Sequence, residues 1–136
     1  MTTLSLEGGC ACGAVRYAAE GTPFHASLCH CIDCRRVLGA SPVAWFSVRL
    51  KEFRLLRGEM REYRSSPPAL RGFCADCGTG LTFRSEDSPD EIDVATATLD
   101  DPGLVPPELH LWISQALPWA LAADGLPRFP QGRPGG

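Results

Sequence analysis

The apolar positions of this chain come in short bursts. Runs that read as strands are 14–19, 26–29, 43–48, 53–56, 60–63, 70–73, 80–83 and 92–98. They are rich in β-branched and aromatic residues, they are brief, and turn formers separate them, so the pattern predicts a mainly β fold of small sheets. Gly58-Glu59 reads as a hairpin turn joining 53–56 to 60–63. Pro67-Pro68 and Ser85–Asp90 read as surface loops. One short helix is predicted from about Cys31 to Gly39, where the glycine suits a left-handed C-cap. A single helical turn is predicted around Trp119–Ala123.

Composition narrows this picture. The chain has 136 residues, of which 14 are glycine and 12 proline. That argues against a helical bundle and for one loop-rich domain, expected over residues 1–130, with a flexible tail at 131–136. The formal charge is 13 − 16 = −3, and Lys51 is the single lysine. Without a basic run, a nucleic-acid binder is disfavoured. The first residues show neither a positive flank nor an apolar core of the secretory kind. The most apolar stretch, Ala116–Ala123, is too short to span a bilayer. A cytoplasmic protein with no membrane partner is expected. In that reducing setting, cysteines read as metal ligands rather than disulfides.

The 7 cysteines carry the chemistry. They form three groups: Cys10-Ala-Cys12, Cys29-His-Cys31-Ile-Asp-Cys34, and Cys74-Ala-Asp-Cys77. Thiolates two or three residues apart on a tight turn can share one ion, and tetrahedral zinc needs four such donors. The pairs Cys10/Cys12 and Cys74/Cys77 sum to one structural zinc site. Cys29, Cys31 and Cys34 then form a second, catalytic-type site with three protein ligands and an open position. Pairing Cys10/Cys12 with Cys29/Cys31 instead leaves Cys34, Cys74 and Cys77 scattered.

Around the trio, three readings stay open: an open zinc, a zinc closed by a histidine, or redox and iron–sulfur chemistry. His25 is the better candidate for a closing ligand, because His30, between two ligands on a strand, points away from them. Nearby residues carry paired readings. Arg35 and Arg36 read as a solvated helix face or as receptors of a substrate carboxylate. Trp45 reads as core or as a wall of the pocket. Asp33 reads as a helix cap. His110 reads as a core or loop histidine, and Trp112 and Trp119 as packing for the C-terminal segment.

The segments GGCACGAVRY, CHCIDCRRVLGA, FCADCGTGLTF and the ending HLWIS to LPRF together resemble the glutathione-dependent formaldehyde-activating enzyme family, also called the centromere protein V family. The resemblance covers about Gly8 to Phe129. It implies a β-tent fold, a structural zinc on Cys10, Cys12, Cys74 and Cys77, and a more labile zinc on Cys29, Cys31 and Cys34. It also implies a carbon–sulfur lyase or synthase that joins a small thiol, glutathione or another, to a small aldehyde. The chain is among the short members and lacks the extra segments of the glutathione-specific enzyme. Physical reasoning adds that a trio of thiolates on Zn²⁺ delivers a substrate thiolate better than it activates water, since its net charge is −1. The rival reading is a non-catalytic, zinc-stabilised module that binds a protein. A monomer or homodimer is expected.

Overall fold

The computed structural model describes residues 4–134. Ten strands and one α-helix follow in order: β1 Leu4–Gly9, β2 Arg16–Gly21, β3 Phe24–Cys29, α1 Ile32–Leu38, β4 Val43–Arg49, β5 Phe53–Arg57, β6 Met60–Ser66, β7 Ala69–Cys74, β8 Gly80–Ser85, β9 Glu91–Ala95 and β10 Leu109–Leu111. They build a three-stranded sheet, β1-β2-β5, and a seven-stranded sheet, β10-β3-β4-β9-β8-β7-β6. Every pairing is antiparallel except β10, which runs parallel to β3. The mainly β, β-tent expectation is met.

The core lies between the two sheets. Tyr17 of the small sheet and Phe46, Val48, Leu81 and Val94 of the large one are completely buried there. Each such side chain contributes on the order of 2 kcal/mol of burial free energy. Cys10 and Cys74 belong to the same cluster, so the first cysteine group is joined to the core rather than appended to it.

Several local readings are refined or corrected. Gly58-Glu59 is not a hairpin turn. β5 pairs with β2 and β6 pairs with β7, so the chain crosses from one sheet to the other at this corner. Gly58 sits at φ 72°, and a β-carbon there would collide with the carbonyl oxygen of Ala14, which explains the glycine. Pro67-Pro68, expected as a loop, is the tight turn of the β6–β7 hairpin. The run 92–98 is strand only to Ala95; Thr96–Thr98 turns into a short 3₁₀ segment. Strands β1 and β10 lie outside the predicted runs, although β1 alternates, with Leu6 and Gly8 buried and Ser5 and Glu7 exposed. The helical turn near Trp119 is a 3₁₀ turn at Pro118–Ala120, and Trp119 is 79% exposed rather than packed.

The expected tail 131–136 falls partly outside the described residues. Within its described part, Gln131 O accepts from Trp112 N at 2.9 Å, and Arg133 Nη2 donates to His25 O at 3.4 Å. No helix among the described residues is long and apolar enough to cross a membrane.

Candidate metal centres and cleft

Two turns of the same design hold the first cysteine group. After β1, Gly13 N donates to Cys10 O at 3.2 Å, and Val15 N donates to Cys10 Sγ at 3.2 Å. After β7, Gly78 N donates to Cys74 O at 2.8 Å, and Cys74 N donates to Thr79 O at 3.0 Å. Gly13 and Gly78 lie at φ 80° and 81°, the left-handed conformation that closes each turn. The four sulfurs all lie within 4.8 Å of one another. Cys10 Sγ is 3.6 Å from Cys12 Sγ, and Cys12 Sγ is 3.8 Å from Cys74 Sγ. Zinc–sulfur bonds of about 2.3 Å in a tetrahedron place sulfurs about 3.8 Å apart. A disulfide would need about 2.05 Å. The donor set therefore fits a tetrahedral thiolate metal, and the long loop between Cys12 and Cys74 is where such an ion would close the fold.

The second group forms where β3 meets α1. Cys29 ends β3. Cys31 is the N-cap of α1, in extended conformation, and its Sγ accepts the backbone N–H of Cys34 at 3.3 Å. Helix geometry then sets Cys34 beside Cys31 in the first turn. The three sulfurs again lie within 4.8 Å of one another. Contact with Cys31 pushes the Cys29 thiol far up, while the same contact holds the Cys31 thiol down, to about 2. Three sulfurs this close cannot all carry charge without a cation among them.

Among the described residues, no fourth cysteine, histidine or carboxylate joins the trio. His25 lines the same cleft but lies outside the cluster. His30 points away, as expected: its Nε2 is 2.8 Å from His110 Nδ1, and His110 Nε2 is 2.8 Å from Asp124 Oδ2. His110 is thus a buried, doubly partnered histidine that fastens the C-terminal segment to β3. Asp33 is exposed and does not cap the helix; Cys31 does. Arg35 and Arg36 do not line the cleft.

A cleft of about 540 Å³ opens beside the trio. Its floor is one face of the large sheet. Ser47, Asp93, Phe83 and Arg71 stand directly opposite one another across β4, β9, β8 and β7, so their side chains share that face. Trp45 and Ser27, paired across β4 and β3, form the next row toward Cys29. Trp45, expected as core or as a pocket wall, is both: it is 6% exposed, packs in the cluster with Cys29 and Cys34, and lines the cleft. Its Nε1 is buried without a hydrogen-bond partner. Trp112, expected to pack the C-terminal segment, also contacts this cluster and lines the cleft. At the far end, Ser47 Oγ donates to Asp93 Oδ1 at 2.6 Å, and burial raises the Asp93 carboxyl to about 6. Sequence reasoning missed Arg71, Asp93 and Ser47. The one signal was a single charge inside each of the predicted runs 70–73 and 92–98.

A fold of small sheets clamped by paired thiol turns, with a thiol trio at a cleft, defines the class. Comparison with known sequences then agrees with the earlier resemblance. The profile described as glutathione-dependent formaldehyde-activating enzyme matches residues 5–115. The chain belongs to that family. A Schizosaccharomyces pombe protein described as an uncharacterized lyase is 38% identical over 77 residues. That alignment covers 57% of this chain and 56% of the relative, so the chain matches little more than half of that protein's length. A crystal structure of a Rhodobacter sphaeroides protein, a structural-genomics target, superimposes with a TM-score of 0.60 at 25% identity. It covers 90% of this chain and 99% of that one.

Proposed function

We propose that the protein is a zinc-dependent carbon–sulfur lyase or synthase that adds a small thiol to a small aldehyde, or reverses that addition. Cys10, Cys12, Cys74 and Cys77 hold a structural zinc, and Cys29, Cys31 and Cys34 hold a second, more labile one. The observation that carries the reading is the trio itself: three converging sulfurs, no fourth protein donor among the described residues, and a cleft beside them. Zinc bound there supplies the positive charge that keeps an added sulfur ionised near neutral pH.

The chain's own residues do the rest. Trp45, Phe83 and Trp112 form an apolar wall around the trio that limits water. Trp45, packed against Cys29 and Cys34, also carries a buried Nε1–H with no partner in the protein. In the addition, a carbon–sulfur bond forms, the carbonyl π bond becomes a carbon–oxygen single bond, and the thiol proton ends on that oxygen. Asp93, whose Oδ1 accepts from Ser47 Oγ, is assigned no step in this reaction.

Family membership supports the scaffold and suggests the thiol and aldehyde class of substrate, and the open trio beside a cleft is compatible with it. The test is thiol-dependent aldehyde consumption by wild type and Cys31→Ser. Loss of activity in the variant supports the role of the trio; equal activity rejects it. A wild type that consumes no aldehyde with any small thiol would favour the non-catalytic binding module.

A further inference from the structure

Arg71 is a buried cation that the reaction above leaves unused. It is 5% exposed and lines the cleft. Its Nε donates to Ser65 Oγ at 3.1 Å, and Nη1 and Nη2 reach Cys34 Sγ at 3.9 and 3.8 Å. Its Cζ stands 4.9 Å from the centre of the Phe83 ring. Arg16, Arg54, Arg64 and Arg84 each pair with a carboxylate, but among the described residues Arg71 pairs with none. A guanidinium has five N–H donors. Three contacts are made, two of them long and to one sulfur, so two donors have no acceptor in the protein. The thiol trio beside it, −1 with zinc bound, balances the charge, but the two remaining N–H groups still face the cleft without an acceptor from the protein.

We infer that the cleft takes a substrate bearing a carboxylate, and that Arg71 is its receptor. The identity of the reacting centre rests on the proposed reaction; the anion site does not. Because Arg71 touches Cys34, a carboxylate accepting from one of its free N–H groups lies on the side of the cleft where the trio sits. Formaldehyde carries no such group. The chemistry fits a 2-oxo acid as the aldehyde partner or a 2-mercapto acid as the thiol partner. With a 2-oxo acid, the thiol S–H adds across the carbonyl: carbon–sulfur forms, C=O becomes C–OH, and nothing is oxidised or reduced.

The test uses the zinc-loaded protein and the intrinsic fluorescence of Trp45 and Trp112. Glycolate, a non-reacting acid, is expected to bind at least tenfold more tightly than glycolamide, its neutral analogue. R71M is expected to abolish that preference, and R71K to keep part of it. In the activity arms, glyoxylate is compared with glycolaldehyde using 2-mercaptoethanol, and mercaptoacetate with 2-mercaptoethanol using formaldehyde. The arm that prefers the acid identifies which partner carries it. Equal binding of glycolate and glycolamide by wild type, or an unchanged preference in R71M, overturns the inference. If R71M fails to fold, the wild-type preference and its reduction in R71K decide. Arg71-dependent glycolate binding without turnover of any pair keeps the anion site and removes the thiol–aldehyde reading; turnover without acid preference does the reverse.

Discussion

Cys31 Sγ accepts the backbone N–H of Cys34 at 3.3 Å, so one atom is both the cap of α1 and a candidate metal ligand. The two roles separate by substitution. Serine is a good N-cap but a poor zinc ligand; alanine is neither. Cys31→Ser and Cys31→Ala should both lose the second metal and the activity. Cys31→Ala should in addition be less stable than Cys31→Ser by about 1 kcal/mol. Thermal melts of the two variants side by side check this, and equal melts would remove the capping role.

The other cysteine group should behave differently. Cys74 is buried in the main core and its sulfur faces Cys12 at 3.8 Å. Cys74→Ala forfeits metal-coupled folding energy on the order of several kcal/mol. It should yield unfolded or strongly destabilised protein, whereas Asp76→Ala, at an exposed neighbouring position, should melt like wild type. A Cys74→Ala protein with a wild-type melt would contradict the clamp.

Gly58 tests the corner between the sheets. It combines φ 72° with contact against the Ala14 carbonyl, while Gly13 has φ 80° and open space around it. Gly58→Ala should cost about 1–3 kcal/mol, and Gly13→Ala clearly less. Denaturant unfolding of both variants measures the difference. Equal costs would mean that backbone conformation alone, without the steric contact, sets the need for glycine.

Asp93 gives a pH signature. Burial raises its carboxyl from 3.8 to about 6, against the lowering effect of the Ser47 hydroxyl. Between those values the folded protein binds more protons than the unfolded chain, so this group's contribution is complete below the lower value and is lost as pH rises through about 6. Asp93→Asn cannot ionise. The stability of Asp93→Asn relative to wild type should therefore grow from about pH 4 to about pH 7. A difference that stays flat over that range would show that Asp93 titrates normally. Carboxylates such as Asp100 and Glu62, held low by hydrogen bonds from Arg16 and Arg84, oppose this trend in both proteins and cancel in the comparison.

The cysteine pattern was legible because ligand spacing is local. Two residues between Cys74 and Cys77, and a turn glycine after them, define one lobe of a site whatever the rest of the chain does. The four-plus-three sorting followed from counting, and the sulfurs do converge in those two sets. Arg71, Phe83, Asp93 and Ser47 were not legible, because they meet only through the order of β4, β9, β8 and β7, and no local rule sets that order. Gly58-Glu59 misled for a related reason. A left-handed glycine after a strand serves a hairpin or a corner equally well, and the choice depends on whether β5 finds β6 or β2. Asp33 lost the cap to Cys31 because a sulfur at the N-cap position can accept the same amide.

The central claim is that the seven thiols divide into a closed set of four and an open set of three. X-ray absorption at the zinc edge, with zinc counted per chain before and after mild chelation, addresses it most directly. The account predicts two zinc ions at first, one with four sulfur neighbours and one with three sulfurs and a lighter atom, and a folded protein that keeps only the four-sulfur ion after chelation. Two equally tight ions, or a second ion whose fourth neighbour is a side chain of this same polypeptide, would contradict it.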